Sequence, residues 1–156
     1  MNQLRRSFLK TTGTTGAIAV AVAAGLLKPT EVLAASWNKN AFEAKSLADA
    51  YKGLGVAAPA DSKDIAIKAP DIAENGAVVP VEVSSKVAGT SSIVILVEKN
   101  ANPLIAQFDL ANGAEPFVST RIKMGQTSMV RCMVVAGGKS FSASKEVKVT
   151  IGGCGG

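Results

Sequence analysis

Beyond residue 63 the hydrophobic pattern turns from helical to β, in short apolar-rich runs separated by polar turn-forming residues. Runs rich in Val, Ile, Thr and Phe fall at 65–69, 77–84, 92–98, 104–109, 117–123, 128–135 and 141–151. Asn75-Gly76, the stretch from Asn100 to Pro103, Asn112-Gly113 and Gly137-Gly138 punctuate them. Short apolar-alternating runs between turn-forming residues read as β-strands. Seven of them in about 90 residues predict an all-β fold, an immunoglobulin-like antiparallel β-sandwich. Pro80 inside the second run predicts an edge or a bulge there, because proline cannot donate to a ladder.

The phase of the alternation adds detail. In the last run Val147, Val149 and Ile151 share one face, and Lys148 and Thr150 the other, so the strand is expected to hold up to Ile151. In 128–135, Cys132 lies in phase with Val130 and Val134 and reads as a small buried core residue. The opposite face (Met129, Arg131, Met133, Val135) is mostly apolar as well, and 93–97 is apolar on both faces. Sheets that are apolar on both sides need cover from a helix or another subunit.

Before the strands, 37–53 follows the helical period. Ala44, Leu47, Ala48 and Tyr51 recur at i, i+3, i+4 and i+7. Asn40 is placed as the N-cap with Glu43 in capping-box position, and Gly53 as the stop. This helix is expected to pack on the β-domain, and 54–63 reads as a linker or loop. The resulting division is an export signal at 1–34, helix and linker at 35–62, a β-sandwich at 63–151 and a glycine-rich arm at 152–156.

The signal rests on Leu4-Arg5-Arg6-Ser7-Phe8-Leu9-Lys10, a pair of arginines followed by Phe-Leu and a lysine, which is the twin-arginine pattern. Leu4 stands where Ser or Thr is usual. The apolar stretch 11–27 is diluted by Thr and Gly and does not read as a membrane span. Val32-Leu33-Ala34 offers small-to-medium residues for cleavage, so a periplasmic mature protein is expected, with no stable membrane insertion. An uncleaved N-terminal anchor is the alternative. Twin-arginine export carries folded proteins, and with no cofactor-binding pattern in the chain the expected reason is a partner exported alongside it.

Composition narrows the chemistry. The mature portion, about 120 residues, has room for one modest core. The chain carries a formal charge of +5, of which the leader supplies most through Arg5, Arg6, Lys10 and Lys28 against Glu31. With no basic run and few aromatics afterwards, nucleic-acid binding is not indicated. The chain has no histidine and two cysteines. That leaves no imidazole base for a Ser or Cys nucleophile, and no spacing for a metal site. Asp61 with Asp64, and Asp71 with Glu74, read as solvated loop charge, and Arg121 and Lys123 as exposed charge on a strand. No catalytic constellation, metal site or cofactor is expected.

The remaining chemistry is at Gly152-Gly153-Cys154-Gly155-Gly156. Glycines lose much conformational freedom on ordering and offer nothing to bury, so the segment is expected to be a mobile arm with one thiol on it. Four flanking residues without Cβ atoms keep it thin enough to enter a narrow cleft. Unperturbed cysteine is only slightly ionised near neutrality, and no cationic residue adjoins Cys154, so its activation is expected from a docked partner. A structural disulfide, to Cys132 or to a second copy, is the competing reading. A terminal Gly-Gly thiocarboxylate carrier is a third, which the export signal opposes.

The segment Lys148-Val149-Thr150-Ile151-Gly152-Gly153-Cys154-Gly155-Gly156 resembles the C-terminus of the SoxY family of the bacterial thiosulfate-oxidising (Sox) complex. The resemblance extends to Ala136-Gly137-Gly138-Lys139, Ser144-Lys145-Glu146, Asn75-Gly76-Ala77-Val78-Val79-Pro80-Val81 and the twin-arginine leader. It implies a non-enzymatic carrier on which Cys154 is the covalent attachment point and Gly152, Gly153, Gly155 and Gly156 form a swinging arm. It implies a heterodimer with a SoxZ-like subunit. Three enzymes would act on Cys154: a c-type haem enzyme that conjugates thiosulfate to it, a dimanganese hydrolase that releases sulfate, and a molybdenum–haem enzyme that oxidises the remaining sulfane sulfur.

Overall fold

The computed structural model describes residues 38–111 and 113–150. Nine strands are arranged in two sheets, with two short helices ahead of them: α1 (Lys39–Phe42), α2 (Leu47–Gly53), β1 (Ala60–Asp61), β2 (Ile65–Lys68), β3 (Ile72–Ala73), β4 (Val79–Ser85), β5 (Thr90–Val97), β6 (Leu104–Asp109), β7 (Phe117–Ile122), β8 (Ser128–Ala136) and β9 (Lys139–Val149). The smaller sheet has the order β2-β4-β7, and the larger β1-β9-β8-β5-β6, with β3 pairing further along β9. From β4 onward the chain crosses between the sheets after β4, after β6 and after β7, which gives the immunoglobulin-like sandwich that the strand pattern predicts.

The inward-facing positions explain the two-layer form. Val79, Val81 and Val83 of β4, with Ile65, Val118 and Ile122, meet Ile93, Ile95 and Val97 of β5 and Val130, Cys132, Val134 and Val147 of β8 and β9. Most are β-branched, which suits a half-buried pleated surface. Each of these strands alternates between this core and an outer position.

The outer face of the larger sheet is covered by the helices. Val94, Leu96, Leu104 and Met133 pack against Ala41, Ala44 and Ala50, with Leu47, Tyr51 and Val135 partly buried beside them. This is the cover that the doubly apolar 93–97 and 128–135 runs require. Arg131 on the same face is ion-paired with Glu98, and both side chains are about a quarter to a third exposed.

The helical segment differs from the single helix expected over 37–53. Asn40 lies inside α1, not at its cap, and Asn38 accepts from the Ala41 amide instead, at 3.2 Å. The chain then breaks and restarts at Ser46, which is in an extended conformation with its side chain accepting from the Asp49 N–H at 3.1 Å. A serine hydroxyl capping a new first turn competes with continuation of the old one. The phase shifts accordingly: Ala50 is buried and Ala48 exposed. Gly53 is the last residue of α2, with Leu54 as its C-cap.

Strand boundaries follow the expected runs closely, and β6 matches the predicted 104–109. The 54–63 stretch and the 70–74 stretch each hold a two-residue strand that was not expected. Both run parallel to β9, pairing Ala60 with Phe141 and Ile72 with Lys148. Pro80 occupies a local edge, as expected. It pairs with Arg121 on one side, while on the other β2 has already ended opposite Glu82. Gly137 and Gly138 both have positive φ and close the β8–β9 hairpin as a two-residue turn.

Candidate functional site

Cys154, Gly152, Gly153, Gly155 and Gly156 lie outside the described residues, as do Arg5 and Arg6. The structure does define the point from which the Cys154 segment departs. That point is the end of β9, and it is held from three directions. Along its outer edge, the Lys148 N–H donates to the Asp71 carbonyl at 3.0 Å and the Thr150 N–H to the Ala73 carbonyl at 3.1 Å. From the β7–β8 connection, the Thr127 hydroxyl accepts from the Val149 N–H at 2.9 Å.

The third contact is steric. Gly76 is packed so closely that a Cβ there would be 2.4 Å from the Met124 carbonyl oxygen and 2.8 Å from Val149 Cγ1. The Met124 N–H in turn donates to the Gly76 carbonyl at 2.7 Å. Asn75 shapes this turn by accepting from the Ala77 N–H through its side chain, at 2.9 Å. The strand was expected to hold up to Ile151. The assigned strand runs to Val149 and its hydrogen bonding continues to Thr150, while Ile151 lies outside the described residues.

Cys132 occupies the core position expected of it. It is fully buried and its thiol is free. Burial without a compensating charge pushes its pKa up to about 12, so it is neutral and unreactive over the physiological range. A Cys132–Cys154 disulfide would require opening the inter-sheet core, where Cys132 stands opposite Ile95 and Ala143.

The other candidate groups do not converge. Asp71 is ion-paired with Lys145 at 3.0 Å, and Asp61 accepts from the Ser142 hydroxyl at 3.3 Å. Asp64, Glu74, Arg121 and Lys123 are exposed. A cleft of about 430 Å³ lies between the β5–β6 and β7–β8 connections, with Asn100, Leu104, Ile105 and Lys123 in its wall. A second, of about 330 Å³, lies between the 54–58 stretch and the β8–β9 hairpin. Among the described residues no thiol or carboxylate lines either cleft. Among the described residues no group of three or more Cys, Asp or Glu could hold a metal ion, and no helix is long and apolar enough to cross a membrane.

Fold and sequence together define an immunoglobulin-like β-sandwich scaffold that carries a single glycine-flanked thiol four residues beyond the pinned end of its last strand. The chain belongs to the SoxY family: the model of that family, "Sulfur oxidation protein SoxY", matches residues 51–154. Among solved structures, the sulfur carrier protein SoxY from Chlorobium limicola f thiosulfatophilum is similar at 43% sequence identity and a TM-score of 0.62. That similarity covers 68% of this chain and 97% of the other. A search of curated proteins returned no match.

Sequence reasoning missed the residues that hold the end of β9. Thr127 and Ala73 carry no periodic signal, and the pairing of Gly76 with Val149 joins positions far apart in sequence. Only the turn character of Asn75-Gly76 was visible beforehand.

Proposed function

We propose that this chain is a non-enzymatic covalent sulfur carrier of thiosulfate oxidation, with Cys154 as the attachment point. The observation that carries the reading is the family match, which runs through the β-sandwich and reaches Cys154 itself. The similar Chlorobium protein is described as a sulfur carrier. The buried, inert Cys132 adds support, because it leaves Cys154 as the other thiol of the sequence.

In this reading the Cys154 thiolate and thiosulfate together lose two electrons to a c-type haem enzyme, forming an S–S bond that leaves a thiosulfonate on the protein. A dimanganese hydrolase then adds water and releases sulfate, leaving a persulfide on Cys154. A molybdenum–haem enzyme oxidises that sulfane sulfur where the host has one. The protein contributes position: a tethered intermediate stays at a high effective concentration for each docked enzyme. Gly152, Gly153, Gly155 and Gly156 keep the arm thin. A SoxZ-like subunit completes the carrier as a heterodimer. Arg5 and Arg6 direct the chain to the periplasm by the twin-arginine route.

The test is a reconstituted thiosulfate-oxidation assay comparing the parent chain with Cys154→Ser. The substitution is expected to abolish sulfur loading and sulfate release while the circular dichroism and melting temperature stay unchanged. Full turnover by Cys154→Ser would sink the assignment.

A further inference from the structure

The cleft between the β5–β6 and β7–β8 connections, about 430 Å³ in volume, plays no part in the carrier reading. Small-ligand sites of that size combine an apolar wall with a few fixed polar groups, and this cleft has both. Ala101, Leu104 and Ile105 supply the apolar wall. Ile105 is the extra residue of a bulge in β6, since Ile95 pairs with Ala106 and Leu96 with Leu104. A bulge at a sheet edge re-aims a side chain, and here the re-aimed residue lines the cleft.

The polar part is two asparagines whose orientations are fixed. Asn100 donates through Nδ2 to the Lys123 carbonyl at 2.7 Å and accepts from the Gly125 N–H at 3.0 Å, which ties the two connections together. Asn102 donates through Nδ2 to the Phe42 carbonyl at 3.0 Å and accepts from Lys45 Nζ at 3.2 Å. A side-chain amide has two N–H donors, and these bonds use one in each residue. Two cations accompany them, Lys123 in the wall and Lys45 on Asn102. Glu43, two residues from Lys45, is paired with Lys39, and Glu98, two residues from Asn100, with Arg131. With no carboxylate among the described lining residues, the local charge is positive. Ammonium groups and spare N–H donors without a counter-charge favour an anion.

We propose that this cleft binds free thiosulfate, with its oxygens on Lys45, Lys123 and the spare amide hydrogens of Asn100 and Asn102, and its sulfane sulfur against Leu104 and Ile105. The choice of anion rests on the carrier reading; the site itself makes no use of Cys154. The apolar wall discriminates between dianions. Sulfate presents a charged oxygen in every direction and would have to desolvate one against Leu104 and Ile105, which is costly. Thiosulfate turns a larger, less strongly hydrated sulfur to that wall and keeps three oxygens for the donors.

The experiment titrates the reduced, isotope-labelled full chain with sodium thiosulfate at constant ionic strength, with no enzyme present. Nuclear magnetic resonance follows the side-chain amides of Asn100 and Asn102 and the Gly125 N–H. Exposed charge pairs are individually weak, so saturable shifts with a Kd on the order of 1–10 mM are expected. Sulfate should bind at least about threefold more weakly, because of the desolvation it has to bear. Lys45→Gln/Lys123→Gln should raise the Kd for thiosulfate roughly tenfold with the melting temperature unchanged, since both side chains are exposed. A response that stays linear in thiosulfate, equal affinity for sulfate, a Kd unmoved by the double variant, or shifts confined to other residues would each overturn the site. Sulfur loading of Cys154 is read separately: loading without binding fells the site alone, and binding without loading fells the carrier reading alone.

Discussion

Replacing Gly76 by alanine puts a methyl group where two neighbours already stand. The added carbon would sit 2.4 Å from the Met124 carbonyl oxygen and 2.8 Å from Val149 Cγ1, so the turn has to retreat by on the order of 1 Å to reach ordinary contact distance. The Met124 oxygen is backbone and cannot rotate away. Retreat also stretches the 2.7 Å bond from the Met124 N–H to the Gly76 carbonyl. Overpacking costs about 1–3 kcal/mol and a lost hydrogen bond about 1 kcal/mol, for a combined loss of about 2–4 kcal/mol. In a domain of this size that lowers the melting temperature by roughly 8–16 °C.

Urea unfolding followed by circular dichroism checks it: the midpoint should fall with an unchanged m-value. Gly137→Asn is the control. Gly137 has φ +55° with nothing within 4 Å of its would-be Cβ, and asparagine tolerates left-handed backbone, so that variant should stay within about 1 kcal/mol of the parent. Gly76→Asn should be at least as damaging as Gly76→Ala. If Gly76→Ala were as stable as the parent, or if Gly137→Asn cost as much, the packing at the root would be refuted.

Thr127→Val keeps the shape of the side chain and removes the oxygen that receives the Val149 N–H. It should cost about 1–2 kcal/mol, and hydrogen exchange at the Val149 amide should quicken; unchanged protection would contradict the role given to Thr127. For Cys132, native protein at pH 8 should resist iodoacetamide at that residue and react only after denaturation, and ready native labelling would place it outside the core. Its folded pKa of about 12 lies above the unfolded value of 9.0. Between those values the native state keeps a proton that the unfolded thiol has lost, so stability should fall as pH rises through that window. The slope should reach up to about 1.4 kcal/mol per pH unit and be absent in Cys132→Val. Replacing Gly152 and Gly153 by valine should slow enzymatic loading of Cys154 several-fold while the melting temperature stays constant; equal loading would remove the steric case for the glycines.

Much of the sandwich was legible because burial on one face of a pleated strand imposes a period of two. The run 128–135 even shows which face takes Cys132 and which takes Met133. What was not legible has a common physical cause. Ile72 and Ala73 make too short a strand to show any period, and their conformation is set by the free edge of β9. The helical stretch misled because Ala44, Leu47, Ala48 and Tyr51 fit one continuous helix, whereas the local competition of the Ser46 hydroxyl for the Asp49 amide divides it. Of the candidate site, Cys154 was legible by composition, as a thiol with nothing but glycine around it. The hold on the end of β9 was not, since Gly76, Thr127 and Ala73 meet Val149 and Thr150 across separations of more than twenty residues.

The central claim is that sulfur travels on Cys154, and the measurement nearest to it is mass spectrometry of the tryptic peptide that follows Lys148, taken from carrier isolated during thiosulfate turnover. The account predicts that Cys154 in this peptide carries thiosulfonate and persulfide adducts that reductant removes, with Cys132 unmodified. A Cys154 found only as free thiol or as a disulfide throughout active turnover would contradict it.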